Sequence, residues 1–257
     1  MTVETNMERL KLSSKQAKMI KALKIKKFRQ QERLFIVEGK KNVHELLKSK
    51  LKIKYLIGSN TYFETVKGKV ALDQSRCFLA SPGELSSLGT LKTNNDCIAV
   101  VEYKSENGSG NQSEHLFLFD GINDPGNLGT IIRTLDWFGY NHLVCSQETT
   151  DHYSPKVVNT SKGSFFRTNI EIANLEEVIA QSSRKVYLVE MNGKPISTLN
   201  STKLPPSIFI LGSESHGISS ALKALSSESV TIPSFGFAES LNVGIATGIL
   251  CYQLRLT

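Results

Sequence analysis

"LFLFDGINDPGNLGTIIRTLDWFG", residues 116–139, joins an unbroken apolar run to a glycine-rich turn and then to the pattern of an amphipathic helix. Residues 116–119 have no polar face, which suits a strand covered on both sides. Gly121, Gly126 and Gly129 allow sharp backbone turns, and Asn127 is placed to cap a helix that begins near Leu128. At about 100° per residue, Leu128, Ile131, Ile132, Leu135 and Phe138 make one apolar stripe, with Arg133 almost opposite its centre. The guanidinium therefore points into solvent or a cleft. A lone arginine so placed is more often a solvated helix face than a functional group, so the rest of the chain decides its meaning.

Downstream, the apolar runs "HLVCS" (142–146), "VYLVEM" (186–191), "SIFILG" (207–212) and "VTIP" (230–233) alternate with helical patterns or loops, as in a parallel sheet with covered faces. Upstream, "KSENGSGNQSE" (104–114) has no apolar anchor and reads as a linker. Before it, "SSKQAKMIKALKIKKFRQQER" (13–33) opens with Ser13 and Gln16 at capping-box spacing and reads as a basic amphipathic helix. Strands at 34–39, 53–59, 77–80 and 97–103 and a helix over 40–49 complete a smaller α/β unit. The expected division is a basic domain at 1–103, a linker at 104–114 and a second α/β domain at 115–257.

The charge follows the same division. Residues 1–114 hold 21 Lys+Arg against 12 Asp+Glu, whereas residues 115–257 hold 10 against 12. A basic module beside a near-neutral one suggests a polyanion-binding part joined to a part with another task. Lys15, Lys18 and Lys21 are the expected phosphate contacts of the first helix. Cys77, Cys97, Cys145 and Cys251 lack Cys-x-x-Cys spacing and the first residues lack an apolar signal core, which fits a reduced cytoplasm. "VGIATGILCYQLRL" (243–256) is shorter than the roughly 20 residues that span a bilayer, so no membrane span is expected. His44, His115, His142, His152 and His216 have no metal-ligand spacing, and no metal is expected.

Ligands of open α/β sheets collect beyond the carboxyl ends of strands. "FILGSESHGIS" (209–219) places Glu214 between Gly212 and Gly217, where a carboxylate can accept hydrogen bonds or orient a cation. Its spacing is not that of a serine-hydrolase elbow, a dinucleotide loop or a P-loop. "IPSFGFAESLNVGIATGILCYQLRL" (232–256) leads through a loop into a helix apolar on nearly every side, so burial on more than one face is expected. Ser240 is either that helix's cap or a functional hydroxyl, and Asn242 is an amide that needs partners if buried. Gly244 and Gly248 would admit another backbone, part of it from a second subunit. In "DHYSPKVVNTSKGSFFR" (151–167), Lys156, Lys162 and Arg167 alternate with Tyr153, Phe165 and Phe166, a mixture that suits RNA or an ordinary surface loop.

Together these segments resemble the SpoU, or TrmH-like, branch of the SPOUT RNA methyltransferases from about His115 onward. "NLGTIIRT" resembles the first motif, with Asn127 and Arg133 at its polar positions. "LGSESHG" resembles the second, with Glu214 at the acidic position, and "IPSFGFAESLNVGIATGI" the third, with Ser240 and Asn242. Ser234 departs from the methionine common after the proline. The basic region is similar, more loosely, to the ribosomal-protein-like RNA-binding domain many members carry.

The resemblance implies a SPOUT domain with a parallel sheet and a trefoil knot, and a homodimer formed through that domain. It implies S-adenosylmethionine as methyl donor, with Met191, Gly193, Leu211, Gly212, Ile232 and Leu241 around it. The implied acceptor is a ribose 2′-hydroxyl of RNA rather than DNA; the separate basic domain and the absence of long basic tails favour ribosomal RNA over transfer RNA, and Lys156 and Arg167 of the 151–167 stretch are expected to add to the lysines' RNA contacts. The alternatives are a transfer RNA 2′-O-methyltransferase and a non-catalytic RNA-binding assembly factor on the same scaffold. In the expected mechanism Arg133 holds the target nucleotide while Glu214, Ser240 and Asn242 fix the arginine and the ribose, since a guanidinium is a poor base.

Overall fold

The structure, a computed structural model, describes residues 10–66, 73–104, 115–199, 204–226 and 228–256. It divides into two compact units, Met1–Ser105 with Tyr153–Asn159, and Glu106–His152 with Thr160–Thr257. The first division falls inside the expected linker, of which residues 105–114 lie outside the described residues. The second is a departure from an uninterrupted domain at 115–257. Tyr153 is a core residue of the first unit, stacked on Tyr103 at 3.7 Å and tilted against Phe35 at 5.1 Å.

The first unit is a five-stranded sheet with strand order β1-β4-β3-β5-β2. The strands are β1 (Leu10–Lys11), β2 (Leu34–Glu38), β3 (Ile53–Gly58), β4 (Cys77–Leu79) and β5 (Cys97–Glu102). β5 runs antiparallel to both β2 and β3, and the other pairs are parallel. Its helices are α1 (Ser14–Ala22), α2 (Lys26–Glu32), α3 (Lys40–Leu47), α4 (Asn60–Val66) and α5 (Pro82–Leu88). The expected capping box is present: Gln16 N–H donates to Ser13 Oγ at 3.3 Å and Ser13 N–H to Gln16 Oε1 at 2.9 Å. The expected single basic helix is two, because Ile25 is extended and Arg29 turns inward to donate to the Leu23 carbonyl at 2.8 Å. Arg29 is thus buried and spent on structure, while Lys15, Lys18 and Lys21 remain exposed along α1.

Glu38, at the end of β2, is 1% exposed. Its carboxylate accepts from Thr90 N–H (2.7 Å), Thr90 Oγ1 (2.5 Å) and Leu91 N–H (3.1 Å). A Cβ on Gly89 would overlap this carboxylate, so the turn and the acid fit only as a pair. Glu38→Ala leaves those donors unpaired and is expected to lower stability by about 3 kcal/mol. Urea unfolding of the variant beside the wild-type chain checks this; an unchanged midpoint would contradict it.

The second unit is a six-stranded, wholly parallel sheet in the order β11-β9-β10-β6-β7-β8. Its strands are β6 (Leu116–Asp120), β7 (His142–Cys145), β8 (Asn169–Ile172), β9 (Lys185–Pro195), β10 (Ser207–Gly212) and β11 (Glu228–Thr231). Associated helices are α6 (Pro125–Trp137), α7 (Pro155–Thr160, largely in the first unit), α8 (Leu175–Ala180), α9 (Ser220–Ala224) and α10 (Val243–Arg255). The stripe Leu128, Ile131, Ile132 and Leu135 is wholly buried, and Arg133 is exposed. α6 starts earlier than expected, at Pro125. Asp124, not Asn127, is its cap, accepting from Asn127 N–H at 2.9 Å, and a proline in the first turn needs no hydrogen-bond acceptor.

α10 packs against α6, with Gly244 at the close approach of the two helices. A Cβ on Gly244 would lie 2.8 Å from Thr130 Cγ2, and one on Gly248 would lie 3.5 Å from Thr134 Cγ2. The other flank of α10 is not buried within the protomer: Ile245, Ile249 and Tyr252 are exposed. Phe165 and Phe166, read as possible base platforms, are core residues, as Tyr153 is. Their apolar area is worth more inside than beside the cations that flank them in sequence. Among the described residues no helix is long and apolar enough to cross a membrane.

Candidate active site

At the carboxyl ends of β9, β10 and β11 lies a cavity of about 600 Å³. Met191, Leu211, Gly212, Ile232 and Leu241 line it, together with Glu214 and Ser240. Its position follows from the parallel sheet, because strand ends that share a direction open their loops onto one edge. β9 widens the cavity. Its pairing with β11 jumps from Leu188 opposite Ser229 to Lys194 opposite Val230, and the residues between, including Glu190 and Met191, bulge into the wall.

Gly193 belongs to that bulge rather than to the wall. A Cβ there would lie 2.6 Å from the Ser229 carbonyl carbon, so the glycine lets β9 return against β11, and it is not among the residues that line the cavity. Gly212 has a comparable role at the end of β10. Its missing Cβ would overlap the backbone of Gly217, onto which the loop 213–217 folds back. Gly217, at φ 65°, adopts the left-handed turn, and its N–H donates to the Ser213 carbonyl at 2.9 Å.

That loop carries Glu214 into a closed ring of hydrogen bonds. Asn127 Nδ2 donates to Glu214 Oε2 at 3.0 Å, Asn242 Nδ2 donates to Glu214 Oε1 at 2.7 Å, and the same amide donates to Asn127 Oδ1 at 2.9 Å. Asn242 Oδ1 also caps α10, accepting from Gly244 N–H at 3.0 Å and Ile245 N–H at 3.4 Å. Both hydrogens of the Asn242 amide and its oxygen are thus used. Because Asn242 is the cap, Ser240 is not, and its hydroxyl faces the cavity with no hydrogen-bond partner among the described residues.

Arg133 is not drawn into this ring. It makes no hydrogen bond or ion pair among the described residues and does not line the cavity, so the expectation that Glu214, Ser240 and Asn242 fix it is corrected within one protomer. Six residues after Asn127, it points from another side of α6. Arg167 is exposed but held by Asp136 at 2.8 Å, while Lys156 is exposed and belongs to the first unit.

Two wall residues, Glu190 and Lys223, escaped sequence reading. Glu190 accepts from Ser229 Oγ at 2.7 Å and from Lys223 Nζ at 2.9 Å. Partial burial opposes its charge, but the bonds from Lys223 and Ser229 hold its carboxyl below the usual range. Its place directly after the apolar run of β9 was the available signal. Other titratable candidates are removed from chemistry. Burial pushes the thiols of Cys97, Cys145 and Cys251 up to about 12, and burial with Arg255 and Arg184 pushes His115 down to about 4. No cluster that could hold a metal occurs among the described residues.

The cavity suits S-adenosylmethionine. Leu211, Ile218, Ile232, Leu241 and Val243 give apolar walls for an adenine and an aliphatic chain, and Glu190 and Glu214 add carboxylates to the same wall. The cradle depends on Gly212, which admits the folded loop without filling the space.

Residues 114–252 match the SpoU rRNA Methylase family, and residues 14–99 match the MRM3-like substrate binding domain. The 23S rRNA (guanosine(2553)-2′-O)-methyltransferase RlmP of Bacillus subtilis (strain 168) is 29% identical over 244 residues, covering 91% of this chain and 94% of its own. A 23S rRNA (uridine(2479)-2′-O)-methyltransferase of Streptomyces viridochromogenes is 31% identical over 146 residues, 53% of this chain and 50% of its own. Among solved structures, the AdoMet-bound rRNA methyltransferase from Sinorhizobium meliloti superposes with a TM-score of 0.83 at 30% identity, covering 96% of each chain.

Proposed function

The chain belongs to the SpoU rRNA methylase family, and from that premise we propose that it transfers a methyl group from S-adenosylmethionine to a ribose 2′-hydroxyl of ribosomal RNA. The observation that carries this reading is the Asn127–Glu214–Asn242 ring, which gathers all three motif segments at the edge of one cavity. The test is incubation with labelled S-adenosylmethionine and unmodified large-subunit ribosomal RNA, followed by mapping of alkali-resistant linkages. Label at a single ribose is the expected result. Label on a base, or on transfer RNA alone, would overturn it.

The donor supplies an electrophilic methyl group on a positive sulfur. Leu211, Gly212, Ile232 and Leu241 hold it by shape, with Met191 at the β9 edge. The Ser240 hydroxyl, unpartnered in the wall, is placed to hydrogen-bond donor or ribose. The ring keeps the loop 213–217 and the start of α10 fixed, so the acceptor oxygen meets a prearranged line of approach. Arg133 binds the nucleotide's phosphate, and its positive charge beside the 2′-hydroxyl favours loss of that proton to water as the oxygen–methyl bond forms and the methyl–sulfur bond breaks, leaving a neutral thioether.

Arg133 lies outside the cavity of its own protomer, so this role calls for a second copy. The exposed Ile245, Ile249 and Tyr252 on α10, with Trp137 one turn beyond Arg133 on α6, form the face of a homodimer that brings the arginine to the partner's cavity. Ile249→Asp is expected to give a monomer by sedimentation, with methyl transfer reduced more than cofactor binding. A fully active monomer would contradict it. The resemblance also assigns a trefoil knot to the path from β9 to α10, which the packing of α10 against β10 and α6 supports. Lys15, Lys18, Lys21 and Lys156 are read as phosphate contacts of the first unit, Arg167 as a further RNA contact of the second, and the cytoplasm as the place of action.

A further inference from the structure

We infer that Phe235 and Phe237 are positioning residues for RNA, a pair of rings on which bases flanking the methylated nucleotide stack. The inference rests on the proposed reaction and goes beyond it in naming what holds the strand at the cavity mouth. Of the twelve phenylalanines, only these two are wholly exposed, at 99% and 107% of the reference surface. Neither ring pairs with another aromatic ring or a cation among the described residues. They stand one residue apart on the loop between β11 and α10, and Phe235 borders the cavity with Gly236, Ala238 and Ser240. The loop is shaped locally: Ser234 Oγ donates to the Gly236 carbonyl at 3.3 Å.

An exposed phenyl ring gains nothing from water, and two on one turn present stacking faces to whatever approaches. What must approach this mouth is a ribose with its neighbouring bases, since the acceptor oxygen has to reach the donor through it. Single-stranded bases stack on such rings irrespective of sequence, by π-face rather than by base-edge hydrogen bonds. The rings share their loop with Asn242 but precede it on the chain, and neither takes part in the hydrogen bonds of the Asn127–Glu214–Asn242 ring.

The experiment compares Phe237→Ala, Phe237→Leu and Phe237→Trp with the wild-type chain, using an unmodified large-subunit ribosomal RNA transcript. RNA affinity is read by filter binding, S-adenosylmethionine affinity by calorimetry and oligomeric state by sedimentation. Phe237→Ala and Phe237→Leu are each expected to weaken RNA binding by about tenfold, while Phe237→Trp retains it. Phe235→Ala should weaken RNA binding similarly. S-adenosylmethionine affinity and oligomeric state of the Phe237 variants should not change. The inference is overturned if leucine serves as well as phenylalanine, since greasy contact would then replace stacking. It is equally overturned if the alanine variant changes the oligomer, marking a subunit contact, or loses only the cofactor, marking a lid. A wild-type chain that methylates the transcript while these variants bind RNA normally sinks this inference alone; one that binds neither cofactor nor RNA sinks the parent reading with it.

Discussion

Arg133→Ala is expected to lower methyl transfer by about 10²–10³-fold while leaving the fold and S-adenosylmethionine affinity almost unchanged. The separation of effects follows from where the residue sits. Its side chain is exposed and supports no hydrogen bond among the described residues, so removing it leaves no orphaned partner and opens no cavity. In the proposed mechanism its contribution goes to the substrate. Arg133→Lys should recover only part of the loss, because an ammonium keeps the charge but not the planar two-pronged geometry that grips phosphate and hydroxyl together. Single-turnover transfer measured beside calorimetric titration separates chemistry from donor binding. Normal turnover in the alanine variant would remove Arg133 from the mechanism.

Gly212→Val should act through the donor instead. A Cβ at this position would fall on the backbone of Gly217 and Ile218, which cannot rotate aside as a flexible side chain would. The loop 213–217 must therefore move. It carries Glu214, so the ring with Asn127 and Asn242 opens and the wall at Leu211 and Gly212 is displaced with it. The expected outcome is cofactor affinity weakened by at least about tenfold, transfer reduced at least as much, and stability lower by about 2 kcal/mol. Calorimetry and a thermal melt report the two parts. A variant that binds S-adenosylmethionine as the wild type does would mean the folded-back loop does not shape the cavity.

Much of this was legible in the residue pattern, and the exceptions have physical causes. The strands of the parallel sheet were readable because covered strands are continuous apolar runs, whereas β8, "NIEI", lies at the sheet edge with Glu171 and Ile172 exposed and carries no such run. Asn127 and Asp124 are both good caps three residues apart. Pro125 between them was the clue that the helix begins earlier. The freed Asn127 amide is what allows the ring to close. Tyr153, Phe165 and Phe166 misled because composition does not distinguish rings that sit among cations in sequence from rings that sit among them in space. Gly193 came from resemblance alone, and its reason, the approach of β9 to the Ser229–Val230 backbone, is a tertiary one. Arg133 was correctly turned away from the core, but where a helix points its solvent side relative to a distant cavity depends on packing that periodicity does not encode.

The ring spans great distances along the chain: Asn127 and Glu214 are 87 residues apart, and Asn127 and Asn242 are 115 apart. Contacts of such long sequence separation are entropically costly to close, and they reward the chain only once the intervening sheet is built. Closing the ring therefore depends on the sheet that brings its three segments together. A chain with its strands paired but these three segments still apart has the sheet without the ring.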